Sequence, residues 1–169
     1  GPPIIRGEGR AYPVDLVYAE RTPRPDAVEA VVSGVRRALA ERQGDVLAFL
    51  PGGGEIERAR SRLLGLPGDE VDVLPLHGGL SLADQDRALN PNPVGRRRVI
   101  LATDIAETSV TIEGIGVVVD CGLTRKPRFQ PGSGLTRLVT EPISRASAQQ
   151  RAGRAGRLGP GTCYRLWSR

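Results

Sequence analysis

The sequence predicts an α/β domain built on a parallel sheet. Short apolar runs alternate along the chain with stretches of helical periodicity. Three of those runs end in loops of small, polar or glycine residues, the edge at which parallel sheets bind ligands. Near the C-terminus the alternation gives way to a hairpin pattern with a Gly-Ser-Gly tip.

Each element has its own signal. Residues 14–20 (VDLVYAE) form a strand. Residues 24–42 form an amphipathic helix, with Val28, Val31, Val32, Val35 and Leu39 at helical spacing. Residues 45–51 (DVLAFLP) form a buried strand, followed by a glycine turn and a helix over 55–64. Residues 71–77 form the next strand. A helix over 81–89 begins at Ser81 with Asp84 three residues on, close to a capping box. Residues 97–103 and 116–122 are strands rich in β-branched residues. The hairpin spans 124–142. Ser144 caps a helix that runs into QQRAGRAGRLGPG, and residues 162–167 close the sheet. Residues 1–12 read as a linker or the start of a cut piece, because no initiator methionine opens the chain and none occurs within it. Residues 13–169 read as one lobe.

Composition narrows the class without naming it. The 24 basic and 19 acidic residues leave a net charge of +5, and Lys126 is the sole lysine. Arginine grips phosphate bidentately, but a charge of +5 also suits an ordinary solvated surface. Cys121 and Cys163 lie in apolar runs without metal spacing, so they read as reduced core residues of a cytoplasmic protein. No run is long enough for a membrane span, and no signal-peptide pattern opens the chain.

The chemistry-bearing residues cluster at strand ends. Thr103, Asp104, Glu107, Thr108, Ser109 and Thr111 crowd hydroxyls and carboxylates into one loop, suited to phosphate oxygens or to capping a turn. Arg151, Arg154 and Arg157 recur every third residue, with Gly153 and Gly156 between them. Gln150, Arg154 and Arg157 share one helix face. A glycine within a helix costs about 1 kcal/mol relative to alanine, so the two glycines are expected where backbone must come close to a neighbour.

Several stretches resemble the DEAH/RHA branch of superfamily 2 helicases. ATDIAETSVTI (102–112), VVDCG (118–122) and SAQQRAGRAGR (147–157) look like motifs V and VI and their connector. FLPGGGEI (49–56) and LHGGLSLADQ (76–85) look like the motif IV region and the segment after it. The order and spacing agree from about residue 45 to the end. LPGGGEI, the DCGLTRKPRFQPGSGLTRL hairpin and RAGRLGPG are nearest to the bacterial HrpB-type group. The sequence holds neither GxxxxGK[ST] nor a DEAH tetrad, so it looks like the second RecA-like lobe of a longer enzyme, inactive toward ATP by itself.

The resemblance implies a RecA-like parallel sheet flanked by helices, with a protruding β-hairpin. It implies ATP and Mg2+ in the full-length enzyme, held mainly by a first RecA-like lobe, and none in this piece. Gln150, Arg154 and Arg157 are the implied catalytic set, the arginines acting as fingers on the γ-phosphate. Asp104 is directed toward the nucleotide ribose, although many relatives carry asparagine there. Ser109 links the two sites, and Leu89 covers the base where many relatives place phenylalanine. Thr103, Thr108, Gly52, His77, Arg125, Lys126 and Arg128 are directed toward single-stranded RNA or DNA, with RNA the expectation. Phe129 is either a wedge at the hairpin or a packing residue. The alternative reading is a basic α/β module that holds nucleic acid without ATP chemistry.

Overall fold

The computed structural model describes residues 11–20, 26–65 and 70–169. Six parallel strands form one sheet in the order β1-β8-β5-β2-β4-β3. They are β1 (Val14–Tyr18), β2 (Asp45–Phe49), β3 (Val71–Leu76), β4 (Arg97–Ala102), β5 (Ile115–Asp120) and β8 (Gly161–Arg165). Adjacent residues explain the sandwich. Val46 and Ala48 face one core with α1 (Ala27–Glu41) and α2 (Gly53–Leu63). Leu47 and Phe49 face the other core with α3 (Leu82–Leu89), α4 (Ile105–Thr108) and α5 (Arg145–Gly153). A sheet covered on both faces needs uninterrupted apolar strands, and β2, β4 and β5 supply them. The result is the RecA-like α/β fold.

The expected caps form. The Ser81 hydroxyl accepts from the Asp84 N–H at 3.2 Å and donates to the Asp84 carboxylate at 2.7 Å. The Ser144 hydroxyl accepts from the Ser147 N–H at 3.0 Å. At the sheet edge, the N–H groups of Arg97, which opens β4, and Thr103, just past its end, donate to the carbonyls of Glu70 and Leu76. That parity turns the odd-numbered residues of β3 outward. Pro75 therefore spends its missing N–H on the free edge, where it blocks a further strand from pairing.

Strands β6 (Leu123–Gln130) and β7 (Leu135–Pro142) form a separate antiparallel pair. Their register makes the hairpin two-faced. Pro127, Leu138 and Phe129 share one face, and Lys126, Arg128 and Arg137 share the other. Phe129 is 63% exposed, which settles its two readings against packing on the body of the lobe.

The reading of residues 1–12 as a linker falls largely outside the described residues. Tyr12, however, is already tied to the lobe: its N–H donates to the Gly156 carbonyl at 2.8 Å. Cys163 is buried and Cys121 half-buried; burial pushes both thiols up to about 12, so neither forms a thiolate readily. No helix of the described residues is long and apolar enough to cross a membrane.

Candidate functional site

Three neighbouring strand ends build the site. The loops after β2, β4 and β3 lie side by side because those strands are adjacent and end level. The Leu50 N–H donates to the Ala102 carbonyl at 2.8 Å, and the Thr103 N–H to the Leu76 carbonyl at 3.2 Å. His77 sits over the glycine turn, since a Cβ placed on Gly53 would lie 3.6 Å from its ring. The His77 Nδ1 accepts from the Gly79 N–H at 3.2 Å, which leaves Nε2 as the ring's outward donor when the imidazole is neutral. His77 is half-buried, whereas Thr108 and Ser109 are exposed and Thr103 is half-buried.

Gly52 lies beneath the root of the hairpin. It is buried, and a Cβ there would fall 2.4 Å from the Arg125 guanidinium. The Arg125 guanidinium therefore stands over this turn. Arg125 itself is paired with Glu55 at 2.8 Å, fastening the hairpin root to the start of α2. Arg128 and Lys126 both approach Glu141, at 2.7 and 3.9 Å, but remain well exposed. Asp104 is exposed and accepts from the Thr124 hydroxyl at 3.3 Å, so its carboxylate lies against the other side of the same root.

The arginine helix is not continuous. α5 ends at Gly153, and residues Arg154–Gly156 tighten into a single 3-10 turn. Gln150, Arg154 and Arg157 nevertheless line one open groove of about 350 Å³ together with Ala146, Gln149 and Gly153. No carboxylate lines it, so its chemistry favours an anion. The three side chains are not equivalent. Gln150 and Arg157 are exposed, while Arg154 is 3% exposed. Arg154 donates from Nε to the Glu107 carbonyl and from Nη1 to the Val110 carbonyl, each at 2.8 Å. Burial first, and then the nearby Arg157 charge, lower its pKa from the ordinary guanidinium value.

Arg151, to which the sequence reading gave no role, is the most heavily bonded residue of the motif. It is fully buried, meets Asp120 at 2.8 Å and Glu107 at 3.2 Å, and stacks 4.6 Å from the centre of the Phe49 ring. Burial works against the Arg151 charge, but Asp120, with help from Cys121 and Glu107, offsets it and holds the guanidinium above its ordinary value. The available signal was the helical offset: Arg151 is three and six residues from the other arginines, yet α5 turns it toward Ala148 and Ala152 on the core side.

Leu89 is half-buried and packs against the core beneath α3, so only part of it is left to cover a base. Its surroundings are held by Arg98, which donates to the carbonyls of Ala88, Asn90 and Glu113 and pairs with Asp45 at 2.8 Å. One buried guanidinium thus joins the end of α3 to the end of the 103–114 loop.

The two glycines divide the expectation made for them. A Cβ on Gly156 would meet the Tyr12 carbonyl oxygen at 2.6 Å and Val14 at 2.8 Å. A Cβ on Gly153 meets nothing within 4 Å, so close approach is not its reason. Gly156→Ala is expected to destabilise the lobe by about 1–3 kcal/mol through overpacking. Gly153→Ala, at φ −60°, is expected to stabilise it by about 0.4–1 kcal/mol. Thermal unfolding of the two variants checks both signs.

Comparison with known proteins gives the family. The family described as "Helicase conserved C-terminal domain" matches residues 26–159. The ATP-dependent RNA helicase HrpB of Escherichia coli (strain K12) is 48% identical over 164 residues, covering 97% of this chain and 20% of that protein. The pre-mRNA-splicing factor ATP-dependent RNA helicase prp22 of Schizosaccharomyces pombe is 43% identical over 173 residues, covering 98% of this chain and 15% of that protein. Two crystal structures of Escherichia coli HrpB, titled a DExH-box NTPase and a DEAH/RHA helicase, superpose with TM-scores of 0.88 and 0.89 at 48% identity. They cover 95% and 96% of this chain, and 20% and 21% of theirs. The chain thus spans a fifth or less of the curated relatives it matches. With a RecA-like sheet and a family match across most of its length, the chain belongs to the helicase conserved C-terminal domain family, in the DEAH branch.

Proposed function

We propose that this lobe completes the ATP site of a nucleic-acid helicase and grips the backbone of a single strand, with RNA the favoured substrate. The observation that carries the reading is the groove formed by Gln150, Arg154 and Arg157, with one exposed arginine, one orientated arginine and no carboxylate. ATP brings a triphosphate whose terminal phosphoryl develops charge on its oxygens during transfer. Arg157 and Arg154 neutralise that charge and Gln150 orients the attacking water. No group of three or more carboxylates, histidines or cysteines suited to a metal ion occurs among the described residues. Mg2+ and the main triphosphate contacts are assigned to a first lobe.

Nucleic acid takes the carboxyl edge of the sheet. Exposed Thr108 and Ser109, half-buried Thr103 and the His77 Nε2 offer donors to phosphate and sugar oxygens. The Lys126–Arg128–Arg137 face of the hairpin adds charge beside them. Ser109, between Thr108 and the Val110 carbonyl that Arg154 holds, stands at the boundary of the two sites. Asp104, on the hairpin side of α4, is proposed as a ribose contact only where the nucleotide reaches past Ser109. Leu89 contributes apolar cover without stacking.

The test uses the full-length protein. ATP turnover stimulated by single-stranded RNA, and RNA affinity that falls steeply with salt, are expected. The isolated lobe is expected to bind RNA weakly and to turn over no ATP. A basic binding module would instead show salt-dependent binding in the full-length protein with no ATP turnover, and that result would overturn the proposal.

A further inference from the structure

Ser147, Arg151 and Arg154 stand at i, i+4 and i+7, one stripe along α5 and its terminal turn. All three end on the same residue. The Ser147 hydroxyl donates to Glu107 Oε1 at 2.6 Å, Arg151 Nε donates to Glu107 Oε2 at 3.2 Å, and Arg154 Nε donates to the Glu107 carbonyl at 2.8 Å. Glu107 is part of α4, a four-residue turn; Thr108, which ends it, and Ser109, which follows, are exposed on the proposed nucleic-acid side. One residue of motif V thus sets both the rotation of α5 and the direction of the Arg154 guanidinium.

We propose that Glu107 is a positioning residue that couples nucleic acid bound on motif V to the catalytic arginines. The inference rests on the function proposed above. A carboxylate is an expensive way merely to pack two helices: a buried ion pair is often no more stabilising than an apolar pair of the same volume. What it adds is direction. Glu107 Oε1 and Oε2 are claimed by donors one helical turn apart, so α5 cannot rotate or slide without breaking one bond. The main-chain oxygen carries Arg154 on the same rigid turn. A strand that orders or shifts Thr108 and Ser109 therefore moves the acceptors of Arg154 with them. By linkage, the free energy that aligns Arg154 when RNA binds is returned as tighter RNA binding when Arg154 engages phosphate.

Glu107→Gln tests this in the full-length protein. The amide keeps the acceptor for Ser147 but turns an N–H toward Arg151. The measurements are ATP turnover with and without a single-stranded RNA oligomer, RNA affinity and the thermal midpoint. Expected is a loss of about tenfold or more in the RNA-stimulated-to-basal ratio. The loss falls on kcat, with KM for ATP, and RNA affinity measured without nucleotide, changed by no more than about threefold. Ser147→Ala, which removes one hydrogen bond and neither ion pair, gives a smaller loss in the same ratio and serves if Glu107→Gln does not fold. A ratio equal to the parent's, or basal and stimulated turnover falling by one common factor, overturns the coupling role and leaves the helicase reading standing. A parent protein that turns over ATP without any response to RNA overturns both.

Discussion

Arg157→Ala in the full-length protein is expected to cut ATP turnover by about 10³-fold while leaving nucleic-acid affinity close to the parent's. Arg157 is exposed in the groove and makes no hydrogen bond or ion pair with another described residue. Its removal therefore costs the fold little, and the thermal midpoint should stay near that of the parent. The cost falls on the transition state, where charge spreads over the transferred phosphoryl oxygens and a guanidinium fork meets two of them. Lysine at 157 restores charge without the fork and should rescue only in part. Arg154→Ala gives a different pattern. It removes the proposed finger and also strips the donors from the Glu107 and Val110 carbonyls, so turnover and stability are expected to fall together. Turnover, nucleic-acid affinity and melting measured on both variants separate the roles. Normal hydrolysis by Arg157→Ala would refute the finger assignment. A loss of affinity with a salt slope lowered by about one, and turnover intact, would instead mark Arg157 as a phosphate contact of a binding module.

Arg151→Ala is expected to be the most destabilising substitution in the motif, by about 3–5 kcal/mol. Arg151 and Asp120 are both fully buried, and removing the guanidinium strands the Asp120 carboxylate with only the Gly122 N–H at 2.9 Å. Burial already raises the Asp120 carboxyl above its ordinary value against the pull of Arg151. Without Arg151 the folded protein holds that carboxyl protonated to still higher pH. The sign follows: the folded-state pKa lies above the unfolded one, so the variant's stability falls as pH rises through the range between them. For a domain of this size the loss lowers the melting midpoint by about 10 °C. Arg151→Met with Asp120→Leu should recover much of the stability, because a buried ion pair and an apolar pair are often near parity. Unfolding of the single and double variants over a pH series checks the energy and its sign.

The comparison of Arg151 with Arg157 shows how much of the site the chain discloses before it folds. The triplet spacing of arginines and the motif V hydroxyls are local, and both are legible at once. Which arginine faces the groove depends on α5 ending at Gly153 and tightening into a 3-10 turn, a change of pitch set by its packing on β1 and β8. The hairpin shows the same limit. Its position and Gly-Ser-Gly tip are readable, but the neutralisation of Arg125 by Glu55 joins residues seventy positions apart. Nothing near Gly52 in the chain signals the guanidinium that stands over it.

Period and punctuation are enough for the parallel sheet, the helix caps at Ser81 and Ser144, the hairpin and the family, because each rests on residues within a few positions of one another. The burial of Arg154, the Glu107 joint and the two different uses of Gly153 and Gly156 arise only when α4 is laid against α5 and Tyr12 against the turn. Those contacts depend on directional bonds between distant segments, and no local pattern of side chains encodes a direction.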